Sequence, residues 1–296
     1  MEVEVTPRQA WIFAARPKTL TVAFIAVLVG SALAWSTDVT FNWFIAVLAL
    51  ICALLIQIGA NLINDAADFK SGADTEERMG FPRATQMGWL THDQVYKGGL
   101  LAFGFAFILG IPLIMKGGII ILILLILSII SAYAYTAGPF PLAYNGLGEV
   151  FVMIFFGYIC TSVPYYLQTG NFDSMSFLAG TQIGLLSTVL IAINNTRDIV
   201  GDRKVGKRTL AAQFGLLFGK LEITFCVMVP LLICLLWGYY DRIIAAFLPL
   251  CLFPLATIIV NGIMHNPPGK IYNNYFVLAT LYHLVFGLLL TLGLLL

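Results

Sequence analysis

Two stretches of this 296-residue sequence combine carboxylates, carboxamides and basic side chains at helical spacing. The first reads Asn61-Leu-Ile-Asn64-Asp65-Ala-Ala-Asp68-Phe-Lys70-Ser-Gly72-Ala-Asp74, with Arg78 and Arg83 following. Positions 61, 64/65 and 68 follow i, i+3/i+4, i+7, so a helix lines them up along one stripe. Gly72 is placed to end that helix, which leaves Asp74 and Arg78 on the loop beyond. The second stretch reads Asn194-Asn195-Thr-Arg197-Asp198-Ile-Val-Gly-Asp202-Arg203-Lys204-Val-Gly206-Lys207-Arg208-Thr209. In a helix, Asn195, Asp198 and Asp202 share a face, Asn194 lies at its edge and Arg197 turns away.

Carboxylates at this density repel one another unless positive charge joins them. Hard oxygen donors in facing pairs, with basic side chains close by, suit divalent cations shared with a phosphorylated substrate. Mg2+ in particular prefers one or two carboxylates plus phosphate oxygens to an all-protein cage. Two such ions bridged by a diphosphate neutralise it and make it a leaving group. Arg78, Arg83, Lys207 and Arg208, with Lys70, supply positive charge for the non-bridging oxygens. A single pair of carboxylates four residues apart is common on solvated loops. Two Asn/Asp stripes that both enter apolar segments are not, because amides and carboxylates there normally face a polar cavity.

The elements that carry the stripes are membrane helices. Apolar residues make up 60% of the chain and charged ones 10%, with a net charge of +1; mean hydropathy is +0.92. A soluble domain carries about 25% charge. The balance also argues against nucleic acid, which needs a clustered basic surface. Runs of roughly 20 apolar residues without alternation predict nine spanning helices, near 19–36, 41–63, 96–114, 118–136, 147–167, 176–195, 218–238, 243–262 and 273–296. With the N-terminus cytoplasmic, 14 of the 16 Lys and Arg residues fall inside and only Lys116 and Arg242 outside, as the positive-inside rule requires. Both stripes then lie at the cytoplasmic ends of the second and sixth helices, and the C-terminus lies outside. The first residues, with Glu2 and Glu4 in place of a basic region, are not expected to form a cleavable leader. The five cysteines sit in apolar runs without metal-ligand spacing and are expected to act as small hydrophobes.

The paired stripes, Asn64-Asp65-x-x-Asp68 and Asn195-x-Arg197-Asp198-x-x-x-Asp202 followed by Gly206-Lys207-Arg208-Thr209-Leu210, resemble the UbiA superfamily of intramembrane prenyltransferases. Further similarities are Ala15-Arg16-Pro17-Lys18-Thr19-Leu20, Gly80-Phe-Pro-Arg83-Ala84-Thr-Gln86-x-Gly88 and Tyr135-Thr136-x-Gly138-Pro139-x-Pro141-Leu-Ala-Tyr144-Asn145-Gly146-Leu147-Gly148-Glu149. The last is most similar to the branch that prenylates 1,4-dihydroxy-2-naphthoate in menaquinone synthesis. The resemblance runs from about residue 11 to the last span. It implies an all-α integral membrane protein, one domain over residues 1–296, with nine helices around a central chamber and a lateral opening for the prenyl tail. It also implies that Asp65, Asp68, Asp198 and Asp202 are catalytic and hold Mg2+, helped by Asn61, Asn64 and Asn195. Where other branches carry a third Asp, this chain has Gly72, and Asp74 is the nearest acid. The implied reaction joins a polyprenyl diphosphate to the aromatic acceptor in a prokaryotic-type cell membrane, releasing diphosphate and CO2, with no obligate protein partner evident.

Other residues admit two readings. Arg16 beside Pro17 suits a helix start and a positive-inside anchor, or a contact to the acceptor carboxylate or the diphosphate. Tyr135, Tyr144 and Asn194 are candidates for holding the acceptor, although Tyr is enriched at membrane interfaces anyway. Glu149 opens an apolar span and reads first as a helix cap. Competing functions are a UbiA-type enzyme with another acceptor (4-hydroxybenzoate, homogentisate or haem) and a secondary transporter, which would place its polar residues nearer the midplane.

Overall fold

The computed structural model describes residues 5–37, 39–72 and 79–296, so Asp74 and Arg78 lie outside the described residues. Every regular element among the described residues is helical. In chain order these are α1 (Pro7–Ala15), α2 (Pro17–Trp35), α3 (Trp43–Lys70), α4 (His92–Ala134), α5 (Gly148–Thr169), α6 (Ser174–Arg197), α7 (Ile199–Lys204), α8 (Leu210–Phe214), α9 (Leu216–Tyr240), α10 (Ile243–His265) and α11 (Tyr272–Leu295).

Eight of the described helices are long and apolar enough to cross a membrane. The longest, α4, has 43 residues and breaks at Gly118, whose φ of 70° and ψ of −156° are not helical. A straight helix of that length would extend about 65 Å, twice the hydrocarbon core of a bilayer. Instead it is a hairpin. The Tyr96 and Tyr133 hydroxyls, near its two ends, sit 3.2 Å apart. Its arms are the two spans expected at 96–114 and 118–136, and the Lys116-Gly117-Gly118 break is the turn between them. Counting both arms gives nine crossings among the described residues, an all-α integral membrane bundle.

Local signals set the ends of the helices. Thr91 and Gln94 form a reciprocal capping box at the start of α4, and Asp173 with Ser176 does the same for α6, each satisfying orphan backbone donors. α1 and α2 are separated by Arg16, held in the left-handed region at φ 54° and ψ 67° just before Pro17. Proline at the next position favours an extended preceding residue over a helical one. The chain therefore turns sharply there, and α1 presents Trp11, Ile12 and Phe13 at its surface.

Without water between helices, close packing and internal hydrogen bonds hold the bundle together. Most side chains of α6 are buried. A Cβ at Gly157 of α5 would meet Gly180 O at 2.7 Å and Gly184 Cα at 2.8 Å, so glycine there lets the two backbones touch. Gln182 of α6 donates to Pro230 O at 3.1 Å and accepts from Trp237 Nε1 at 2.8 Å, which ties α6 to α9. Between Met153 and Ile159 the helix widens into a π-helical segment, a distortion common beside functional sites.

Candidate active site

Inside the bundle is a cavity of about 1010 Å³. One face of α3 lines it from Ala49 through Ile56 and Ala60 to Asn64 and Asp68. At 1.5 Å per residue that face is about 28 Å long. Ile121, Leu125 and Ser128 of α4 and Phe151, Phe155 and Ile159 of α5 close it from other sides. The wall is apolar over most of its length and polar at one end, where α3 and α6 both finish.

At the polar end of α3, Asp68 is 3% exposed and accepts from Arg83 Nη2 at 3.2 Å and from the Tyr144 hydroxyl at 3.0 Å. Asn64 Oδ1 accepts from Arg83 Nη1 at 2.6 Å and from Arg16 Nη2 at 3.3 Å. The Arg16 turn therefore aims a guanidinium at the stripe from the adjoining α1–α2 corner. Such left-handed backbone in a non-glycine residue costs of order 1 kcal/mol and clusters at functional sites. One turn away, Asn61 Nδ2 donates to Ala15 O at 2.9 Å and to Thr19 Oγ1 at 3.1 Å, pinning α3 to the α1–α2 corner.

At the end of α6, Asp198 receives a two-pronged bond from Arg197, Nε to Oδ1 at 2.8 Å and Nη2 to Oδ2 at 2.6 Å. Arg197 is 2% exposed, and its Nη1 donates to Asn273 Oδ1 at 2.6 Å. Asp202, on the short helix that follows, faces Lys207 at 3.8 Å and Thr209 Oγ1 at 3.4 Å. Burial raises its carboxyl to about 6, an effect that Lys207 opposes and Asp198 and Asp68 reinforce. The Asn195 carboxamide donates to Glu149 Oε1 at 2.6 Å, which leaves its oxygen free to face elsewhere.

Of the residues singled out in the sequence, Arg16, Asn61, Asn64, Asp68, Arg83, Tyr135, Asn194, Asn195, Asp198, Asp202 and Lys207 line the cavity together. Four others are placed differently. The Asp65 carboxylate is 1% exposed and accepts from Ala84 N at 3.0 Å, Thr85 N at 3.4 Å and the Thr85 hydroxyl. It lies three residues before Asp68, about 60° from it around the helix, and that offset turns it to the 84–85 loop. Lys70 and Arg208 are exposed outside the cavity lining. Tyr144 reaches Asp68 and Ser71 with its hydroxyl, and Lys207 lies 5.3 Å from its ring centroid. Arg78 is outside the described residues.

Three participants were not legible in the pattern. Arg197, expected to turn away, lines the cavity because α6 stops at Asp198 and its long side chain folds back along the terminus. Glu149, expected as a cap, reaches Asn195. Asn273 comes from α11, whose sequence carries no motif, and only three-dimensional proximity reveals it.

The donor chemistry at this end fits a divalent cation. Among the described residues no three of His, Cys, Asp and Glu form a metal-binding group by themselves. Carboxylates instead stand on separate helices, Asp68 on one and Asp198 and Asp202 on others. Mg2+ is commonly held by one or two carboxylates with substrate phosphate oxygens, and carboxylates spread over separate elements at one end of a cavity suit that mode.

An all-helical integral membrane bundle with a largely apolar cavity and an acidic end flanked by Arg and Lys suits a ligand with a charged head and an apolar tail. Residues 23–280 match the UbiA prenyltransferase family; the chain belongs to that family and is a prenyltransferase. It is 36% identical to the 1,4-dihydroxy-2-naphthoate octaprenyltransferase of Escherichia coli over 83% of this chain and 85% of that one. It is 38% identical to the Haemophilus influenzae protein of the same name over 71% of each chain. Among solved structures, a UbiA homologue from Aeropyrum pernix is similar over 93% of this chain and 96% of its own, with a TM-score of 0.69 and 14% identity. A homologue from Archaeoglobus fulgidus, bound to DMAPP and Mg2+, is similar over 95% of this chain and 98% of its own, with a TM-score of 0.58 and 14% identity. At those identities the likeness concerns the fold.

Proposed function

We propose that the chain transfers a polyprenyl group from its diphosphate to 1,4-dihydroxy-2-naphthoate, with loss of CO2, at the acidic end of the cavity. The observation that carries this reading is that Asp68, Asp198 and Asp202, from separate parts of the chain, line the polar end of one largely apolar cavity. The identities to the two named relatives support the choice of acceptor.

In this reading Asp68, Asp198 and Asp202, with Asn64 and Asn195, would hold Mg2+, as two ions, together with the diphosphate of the donor. The ions supply charge neutralisation of the leaving group. Arg83 and Lys207 direct their charges to the non-bridging oxygens, with Arg16 beside them. The bond between the allylic carbon and the diphosphate oxygen breaks as that charge is compensated. Phe151, Phe155 and Ile159 keep water from the allylic cation, which would otherwise be quenched. The electron-rich ring then attacks, and departure of its carboxylate as CO2 restores aromaticity. Asn194 and Tyr135 line the wall where the acceptor meets the donor. The acidic end faces the cytoplasm in this reading, as the distribution of Lys and Arg requires.

Purified enzyme in detergent, given a polyprenyl diphosphate and Mg2+, tests it against a panel of 1,4-dihydroxy-2-naphthoate, 4-hydroxybenzoate and homogentisate. Prenylated product, diphosphate and CO2 are expected from the naphthoate. Turnover of another acceptor at a higher kcat/KM would overturn the assignment.

A further inference from the structure

Asn273, at the start of the last helix, touches both halves of the acidic mouth. Its Oδ1 accepts from Arg197 Nη1 at 2.6 Å and its Nδ2 donates to Met79 O at 2.8 Å. The carboxamide has one workable orientation. Flipped, its NH2 would face a guanidinium and its oxygen a carbonyl, donor against donor and acceptor against acceptor.

What lies at the two ends of this bridge gives it meaning. On one side Arg197 grips both oxygens of Asp198. On the other, Met79 begins the described segment that carries Arg83, four residues further on, to Asp68 and Asn64. That segment has a second fixed point, since Asp65 binds Ala84 and Thr85. Arg83 therefore hangs between anchors, Asp65 on its far side and, on its near side, Asn273 through Met79 together with Phe81, whose ring packs on Phe276 and under Lys18. The chain Asp198–Arg197–Asn273–Met79–Arg83–Asp68 joins the two carboxylate groups through backbone and side chains, without passing through the cavity.

We infer that Asn273 is a positioning residue that sets the spacing between the Asp198 and Asp68 ends of the diphosphate site, acting through Arg197 and through the Met79–Arg83 segment. The inference rests on the reading of that mouth as the diphosphate site. It assigns a function in donor binding to a helix that contributes no acidic or basic residue to the mouth. Losing the bridge removes one of the near-side anchors of the Arg83 segment and one hold on Arg197, so both guanidinium groups have more positions to lose on binding and the donor binds less tightly.

A double-mutant cycle with Asn273→Ala and Arg83→Ala, read as steady-state kinetics with geranyl diphosphate and thermal unfolding, tests this. Arg83→Ala alone raises the donor KM if the mouth is the diphosphate site; an unchanged KM would instead overturn that underlying reading. Asn273→Ala alone is expected to raise the donor KM about tenfold with kcat within about threefold. In the Arg83→Ala background the same substitution is expected to raise it by a clearly smaller factor, about threefold, because only the Arg197 arm then remains to be positioned. Penalties that multiply, or a wild-type KM in Asn273→Ala, would overturn the inference. Should Asn273→Ala not yield folded protein, Asn273→Asp, which keeps the acceptor for Arg197 and loses the donor to Met79, enters the same cycle with the same deciding outcomes.

Discussion

The Tyr144 hydroxyl donates to Asp68 Oδ1 at 3.0 Å, while the Tyr144 carbonyl accepts from Arg208 N at 2.8 Å. One residue in the loop between α4 and α5 thus holds the acid of the first stripe with its side chain and the basic loop of the second with its backbone. Its ring also lies under Lys207. Tyr144→Phe removes the hydroxyl and keeps the ring and the backbone contact. A hydrogen bond to a charged group contributes about 1.5–3 kcal/mol, so kcat/KM for the donor should fall roughly tenfold or more. Steady-state rates at saturating acceptor check it; a wild-type value would show that Asp68 does not depend on Tyr144.

Asp65 and Asp68 should fail in different ways. Asp65→Ala leaves the buried Ala84 and Thr85 amides without their acceptor, at about 1–3 kcal/mol for each unsatisfied group. Thermal unfolding in detergent should show a clear loss of stability. Asp68→Ala should unfold near the wild-type temperature, since Arg83 keeps its bond to Asn64, and should lose turnover.

At Gly118 the backbone, not the site, sets the residue. Its φ of 70° with ψ −156° lies in a region essentially restricted to glycine, which costs a residue with a Cβ of order 1–3 kcal/mol. No atom lies within 4 Å of a Cβ built there, so Gly118→Ala isolates the backbone effect. Unfolding should move to lower temperature while kcat and KM stay at wild-type values.

Glu149 fixes the Asn195 carboxamide through a 2.6 Å bond. Glu149→Ala releases that amide to rotate. The half-saturating Mg2+ concentration should rise several-fold, whereas Glu149→Gln, whose carbonyl oxygen still accepts, should restore most of the wild-type affinity. Titration of activity with Mg2+ distinguishes the pair.

The sequence carried the helices well because lipid imposes one rule on all of them: roughly 20 apolar residues and every backbone group satisfied internally. It resolved α4 into two arms, since Lys116-Gly117-Gly118 cannot continue a buried apolar helix. Helical spacing also brought Asn61, Asn64 and Asp68 to one stripe. It failed where a side chain's partner lies on another element. The i, i+3/i+4 stripe includes Asp65 by count, but loop 84–85 competes for that carboxylate. Arg197 turns away on an ideal helix and does not when the helix ends beneath it. Asn273 stands 75 residues beyond Asp198 in an apolar helix, and no local pattern marks it.

The central claim is that acids on separate helices act on one diphosphate. It is tested most directly by measuring prenyl transfer in Asp68→Ala and Asp198→Ala, purified and shown by thermal unfolding to be folded. Each substitution alone is expected to reduce turnover by at least about a thousandfold at saturating donor and Mg2+. Near-normal turnover in either folded variant would contradict it.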